Sequence, residues 1–304
     1  MMNKIVGIGA CVMDTLITLP KYPDEDTKMR TLSTKVAGGG PAATGIVASQ
    51  KLGVQSGFVG VLSDDNVGNF LAEDFKKYGV STENITFESG YSSFTSVIWL
   101  SSDSASRTCV FDKGNLPALV LSEAQKQAVR DAEILMIDGN EIDGAEDACR
   151  VAKESSTRVL YDCGGLYEGV ERLLALTDIM IPSEEFALKK TNSQNAKEAA
   201  EKLMNTYHPE VVVITQGKEG GLYYDGKEFW SYPAFPVNAL DTNGSGDVFH
   251  GAFAAGLVYG FDMKKCCVFA SAVSAIKCMG VGARESVPDI KRVKDFLKEK
   301  GYEL

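Results

Sequence analysis

Histidine is almost missing from this chain. Only His208 and His250 occur among 304 residues, too few to build a histidine-based metal centre. The seven cysteines, Cys11, Cys109, Cys149, Cys163, Cys266, Cys267 and Cys278, contain no Cys-x-x-Cys pair, and a chain of this size needs no disulfide staples. Free thiols in a reducing, cytoplasmic setting are the expectation. Basic clusters are missing as well: the formal net charge is −10, which argues against nucleic acid as a partner. No apolar run reaches the ~20 residues of a membrane span. Met1 to Met13 is apolar but short and lacks a small-residue cleavage site, so Ile5-Val6-Gly7-Ile8-Gly9 is read as a first buried strand. There is no internal repeat, no low-complexity tract and no obvious linker.

What is present is alternation. Short apolar runs predict buried strands at Lys4 to Ala10, Ser56 to Leu62, Ile134 to Asp138, Arg158 to Asp162, Ile179 to Pro182 and Val211 to Thr215. Helical periodicity predicts helices at Pro41 to Leu52, Asn66 to Tyr78, Ser122 to Asp131, Gly144 to Glu154 and Asn195 to Tyr207. This order implies an α/β fold with a mostly parallel sheet between helices, whose ligands sit at the carboxyl ends of the strands. Thr15 to Val36 and Ser93 to Phe111 lack helical period and are rich in Thr, Ser, Val and Ile. They are read as strands outside the main sheet, forming a small lid on one domain of residues 1–304, with surface hairpins as the alternative. Gly221 to Tyr224 and Glu228 to Tyr232 predict a hairpin turned at Asp225-Gly226, and the last third is helical.

The densest chemistry lies in Asp241-Thr242-Asn243-Gly244-Ser245-Gly246-Asp247-Val248-Phe249, directly ahead of an apolar helical run. Glycines let the backbone approach a ligand, and the free N–H groups of the following helix form an anion site. Asp247 would repel a phosphate, so its presence makes sense as a base that takes a hydroxyl proton while Gly244, Ser245 and Gly246 hold the charge on a phosphoryl group. An ordinary turn with an acidic helix start is the competing reading.

Two further glycine sites precede this one: Ala37-Gly38-Gly39-Gly40-Pro41-Ala42-Ala43-Thr44 leading into a helix, and Thr215-Gln216-Gly217-Lys218-Glu219-Gly220-Gly221 after a buried strand. In this order, the three sites resemble the ribokinase-like (PfkB) sugar kinase family nearly end to end. The flavour is that of its fructokinase and sulfofructose-kinase members. The resemblance implies a ribokinase-like three-layer αβα sandwich with a β-strand lid. It also implies ATP-dependent phosphorylation of a sugar hydroxyl, with Mg2+ on the phosphates and a monovalent cation such as K+ nearby. By resemblance Asp247 is the base, and Asp14, Gly38, Gly39, Gly40 and Asn140 face the sugar. Thr215, Gly217 and Gly220 line the nucleotide, and Lys277 either flanks the adenine or snorkels. Asp241 and Ser286 hold the monovalent cation. Asp14 as a loop cap, and the glycine sites as plain turns, are the structural alternatives.

Departures from the family pattern are informative. Ala43 stands where the family often has a sugar-contacting Asn. The family's Asn-x-x-Glu, which orders magnesium, falls on Ser183-Glu184-Glu185-Phe186, so Glu185 or its neighbour Glu184 becomes the candidate. His250 lies three residues after Asp247 on roughly the same helical face. A histidine-assisted base is disfavoured, because one carboxylate suffices. A nucleoside kinase of the same fold and a catalytically silent sugar or nucleotide binder remain alternatives. A Rossmann dehydrogenase fails because Val12 occupies the third glycine position after Gly7-x-Gly9, and a P-loop motif is absent from the sequence. Exposed lid edges suggest a homodimer.

Overall fold

The structure is a computed structural model that describes residues 2–104 and 106–303. The main sheet draws its strands from along the whole chain: β1 (Ile5–Ile8) near the start, then, beyond the first lid strands β2 (Val12–Leu19) and β3 (Ser33–Gly39), β4 (Ser56–Ser63) and β5 (Ser81–Glu88). After the second lid pair, β6 (Thr95–Ser101) and β7 (Arg107–Asp112), it continues with β8 (Ile134–Ile137), β9 (Arg158–Cys163), β10 (Ile179–Pro182), β11 (Val211–Thr215), β12 (Gly221–Tyr224) and β13 (Phe229–Tyr232). The strand order in the nine-stranded sheet is β13-β12-β11-β10-β9-β8-β1-β4-β5. It is parallel from β11 to β5, and the hairpin β12-β13 runs antiparallel at one edge.

Helices connect and cover these strands: α1 (Pro41–Lys51), α2 (Asn66–Lys77), α3 (Glu123–Asp131), α4 (Ile142–Lys153), α5 (Val170–Leu174), α6 (Glu184–Thr191), α7 (Ala196–Tyr207), α8 (Ser245–Val258), α9 (Met263–Cys278) and α10 (Ile290–Glu299). A parallel strand buried on both faces must be apolar at every position, and β1 is: Ile5 joins one core cluster and Val6 the opposite one. The predicted strands and helices of the main sheet are thus found at their expected places. The edge strand β5 and the helices α5 and α6 had not been foreseen. In β5 only Ile85 is buried, so the apolar signal there is faint.

The lid is a separate four-stranded sheet of order β3-β2-β6-β7. It begins at Val12 rather than Thr15, which places Asp14 inside lid strand β2 and not in a loop. Register separates the faces. Ala37, Asp14, Ser96 and Phe111 lie in one cross-strand row; Val36, Thr15, Val97 and Val110 lie in the adjacent row, on the other face.

Helix α8 is pressed onto α1. A Cβ on Gly251 would stand 2.0 Å from the Gly45 carbonyl oxygen, so only glycine permits this crossing. Ser49 Oγ donates to the Gly251 carbonyl across the same contact at 2.8 Å. The N-terminus of α8 is thereby brought to the carboxyl ends of β8, β9 and β10.

Candidate active site

Carboxylates converge where the central strands end. Asp138 follows β8 and is buried, its Oδ2 accepting from Ala10 N (2.9 Å) and Ala42 N (3.0 Å), and its Oδ1 from Asn140 N (2.9 Å). It caps α1 from outside, since Gly40 at the N-cap offers no side chain. Gly9 is required here because a Cβ would strike the Asp138 carboxyl at 2.3 Å. Burial raises Asp138 above the usual carboxylate range, against these N–H donors. Asp162 near the end of β9 is also buried and raised well above that range, by burial first and the Asp138 charge second.

Asp14 accepts from Ser96 Oγ at 2.6 Å. Burial raises it, while the Ser96 hydroxyl and Arg284 pull it back. Asp247, in the first turn of α8, is half-buried. Burial raises it to about 7, helped by the negative charges of Asp162, Asp138 and Asp14 and opposed by His250. A carboxyl group tuned near neutrality is what a general base requires.

Gly244 starts α8 in the left-handed region (φ 73). Beside Gly246 a Cβ would meet nothing within 4 Å, so the space is open to a ligand. The Ser245 N–H already donates to Thr242 O at 3.2 Å. Among the described residues the N–H groups of Gly244 and Gly246 meet no protein acceptor, so an anion here would be held by these two more than by Ser245. Arg107 reaches from the lid to Asn243 Oδ1 at 3.1 Å, bringing β7 over this loop.

Beyond α8 a cavity of about 570 Å³ is lined by Thr215, Gly217, Gly220, Ser245 and Gly246 together with Tyr232 and Phe249. The residues expected to face a nucleotide are therefore in one place with the anion site. Gly217 opens onto free space, whereas Gly220 is glycine because a Cβ would stand 2.1 Å from Tyr232 O. Lys277 does not join them. It is fully buried, and its Nζ donates to Asp241 O at 2.8 Å, which neither flanks the cavity nor snorkels to water.

A second cavity, about 410 Å³, takes in Gly9, Ala10, Asn140, Phe94 and Lys113. Asn140 is the sugar-facing candidate that lines it. The glycine triplet is closely packed on its Cβ side. A Cβ on Gly38 would meet Arg284 Nη1 at 2.1 Å, on Gly39 the Asp14 carboxyl at 1.9 Å, and on Gly40 (φ 95) the Ala10 carbonyl at 2.1 Å. On the Cβ side, Gly38 is met by Arg284 and Asp74 and Gly39 by Asp14.

Arg284 was missed in the sequence. Buried beneath the site, it pairs with Asp74 at 2.6 Å, donates to Gly39 O at 2.7 Å and lies 5.2 Å over the Phe75 ring. Asp138 and Asp162 were missed as site residues too. Their signal was legible: a single carboxylate closing an apolar strand, at the end where such sheets bind ligands.

The metal candidates divide. Asp241 accepts from Asn243 N and Gly282 N, both at 2.8 Å, and Ser286 Oγ donates to Gly282 O, so both meet at one turn. Glu185 is exposed and pairs with Lys189 at 2.6 Å, facing away from both cavities. Its neighbour Glu184 accepts from Gln216 Nε2 at 2.7 Å beside the nucleotide-side loop. Ser183 caps α6 by accepting from Phe186 N, and Phe186 is core, which accounts for the departure from Asn-x-x-Glu. Among the described residues no group of three or more His, Cys, Asp or Glu side chains is suited to a metal ion, and no helix is long and apolar enough to cross a membrane.

A helix start open to an anion, with a carboxyl group near neutrality in its first turn, is machinery for moving a phosphoryl group onto a hydroxyl. The chain belongs to the pfkB family of carbohydrate kinases, whose model matches residues 2–290, and it is a sugar phosphotransferase. Curated relatives include a ribokinase of Haemophilus influenzae, 25% identical with 98% of this chain and 99% of that protein covered. A 5-dehydro-2-deoxygluconokinase of Clostridium tetani is 29% identical, covering 98% of this chain and 94% of that protein. The fold is ribokinase-like: a ribokinase of Arabidopsis thaliana solved with ribose and ATP superposes with a TM-score of 0.88 over 98% of this chain and 99% of that one, at 24% identity.

Proposed function

We propose that this kinase transfers the γ-phosphoryl group of ATP to a hydroxyl of a small sugar such as ribose, fructose or a related keto sugar. The observation that carries the reading is Asp247. It stands in the turn that also lines the nucleotide-side cavity, where burial first and the neighbouring carboxylates second raise it to about 7. The sugar lies between Asp14, Asn140 and Asp247. Its hydroxyl oxygen attacks the γ-phosphorus while the O–H proton passes to Asp247. The bond to the bridging oxygen breaks, and ADP leaves with that electron pair. The Gly244 and Gly246 N–H groups donate to the phosphoryl oxygens, and Arg107 adds positive charge from the lid.

Asp241 and Ser286 offer oxygen atoms at one turn, the donor chemistry of a hard monovalent cation such as K+; bound there it would brace the loop leading into α8. A protein-built magnesium site does not fit. Glu185 points away and Glu184 is held by Gln216, so among the described residues no carboxylate stands as a direct ligand and Mg2+ would sit on the nucleotide phosphates. The outer lid face, with Val36, Trp99 and Val110 exposed, fits a second copy of this chain.

The test is ADP release with Mg-ATP across ribose, fructose, fructose 6-phosphate, tagatose 6-phosphate, 2-keto-3-deoxygluconate, 5-dehydro-2-deoxygluconate, sulfofructose and nucleosides. A sugar should raise turnover well above the ATP-only rate. Stimulation by nucleosides alone would replace the sugar reading, and ATP binding without stimulation would favour a silent binder.

A further inference from the structure

His250 is a buried titratable group that phosphoryl transfer by Asp247 leaves without a task. Its ring does not face the open space beside Gly246. Nδ1 stands 2.6 Å from the Gly246 carbonyl, one turn earlier in α8, and Nε2 stands 3.0 Å from the Ile181 carbonyl on β10. Carbonyl oxygens only accept, so both contacts are satisfied only when each nitrogen carries a proton. The ring is then a cation, and Asp162 Oδ2 lies 3.1 Å from Nδ1. That oxygen is buried and has no hydrogen-bond donor among the described residues, so the imidazolium charge is its compensation. Burial first and the Asp138 charge second raise Asp162, and burial lowers His250 against the upward pull of the Ile181 and Gly246 carbonyls and of Asp247. Bringing the two charges together in a dry pocket offsets both penalties at once.

We infer that Asp162 and His250 are positioning residues of the transfer reaction: a buried carboxylate–imidazolium pair that ties the first turn of α8 to β9 and β10 and so fixes the Gly244 and Gly246 N–H groups and the Asp247 carboxyl. The inference rests on the reading of Asp247 as base. Five groups face Asp247: Asp162 from β9, Asp138 from the end of β8, Asp14 from β2, Lys277 from α9 and His250 from its own helix. Of the charged neighbours, Asp162 acts most strongly on it. Replacing Asp162 by a neutral residue removes a negative charge, which makes Asp247 easier to deprotonate. Loss of the ring from His250 frees the Gly246 carbonyl and lets the turn drift, and misplacement on the ångström scale costs on the order of 10- to 100-fold in rate.

The pair is tested in two ways on the full chain. In 15N-histidine-labelled protein, with His208→Gln used for assignment, the inference expects a His250 ring protonated on both nitrogens at pH 7.5. A singly protonated ring overturns it whether or not the protein turns over sugar. In rate profiles with the responding sugar, His250→Asn should lower kcat at least 10-fold with KM for ATP little changed. Asp162→Asn should move the acid limb of kcat to lower pH. Reduced kcat with an unmoved acid limb, or loss of folding by circular dichroism in proportion to loss of rate, would show a merely structural pair and overturn the inference. Failure of the underlying reading looks different: Asp247→Asn would keep its turnover, whatever the His250 spectrum shows.

Discussion

At the scale of single residues, the proposed base Asp247 should set the pH behaviour. A base works only when deprotonated, and this one is raised to about 7, so kcat should climb as pH rises through 7 and level off above it. A pH–rate curve flat from pH 5.5 to 8.5 would remove Asp247 from the rate equation. Linkage carries a second consequence. An aspartate whose folded pKa lies above its unfolded value costs nothing below about pH 4; its cost accumulates as pH rises and is complete above 7. Asp247→Asn should therefore melt higher than the native chain at pH 8, with the difference shrinking towards pH 4. Asp247 was legible in the sequence because small residues and a carboxylate before an apolar helix form a local signature. Arg284 was not. Its meaning comes from Asp74, Thr44 and Gly39, residues far away in the chain, and no short window contains them. Lys277 misled because a lone lysine in an apolar helix suggests snorkelling, while here the Asp241 carbonyl satisfies it inside.

At the scale of elements, the α1–α8 crossing decides where Asp247 sits. Gly251 has no room for a Cβ, and its obstacle is backbone, the Gly45 carbonyl. Gly251→Ala should destabilise the fold by about 1–3 kcal/mol through overpacking and lower kcat by tilting α8. A thermal melt within 1 °C of the native chain would contradict the crossing. The strands and helices of the main sheet were readable because fully apolar strands alternate with periodic helices. The weak points followed the same physics: β5 is an edge strand with little buried, and α6 is a short helix whose start is set by the Ser183 cap. The lid was recognised by its composition, yet its start was placed late, since the main-sheet strand β1 and the lid strand β2 follow one another with only three residues between Ile8 and Val12.

At the scale of the whole molecule, two sheets frame the proposed reaction, in which nucleotide would lie on one side of α8 and sugar beneath the lid. The outer lid row should mediate self-association. Val110→Asp, which places a charge on that exposed row, should convert a dimer to a monomer in sedimentation velocity; a native chain that is monomeric at micromolar concentration would contradict the second-copy reading. The catalytic account itself is tested most directly by 31P NMR of the native chain and Asp247→Asn, each incubated with Mg-ATP and the responding sugar. The account predicts a sugar phosphate monoester appearing in step with ADP for the native chain, and a rate lower by about 10²- to 10⁴-fold for the variant. Inorganic phosphate in place of the monoester, or equal rates for the two proteins, would contradict it.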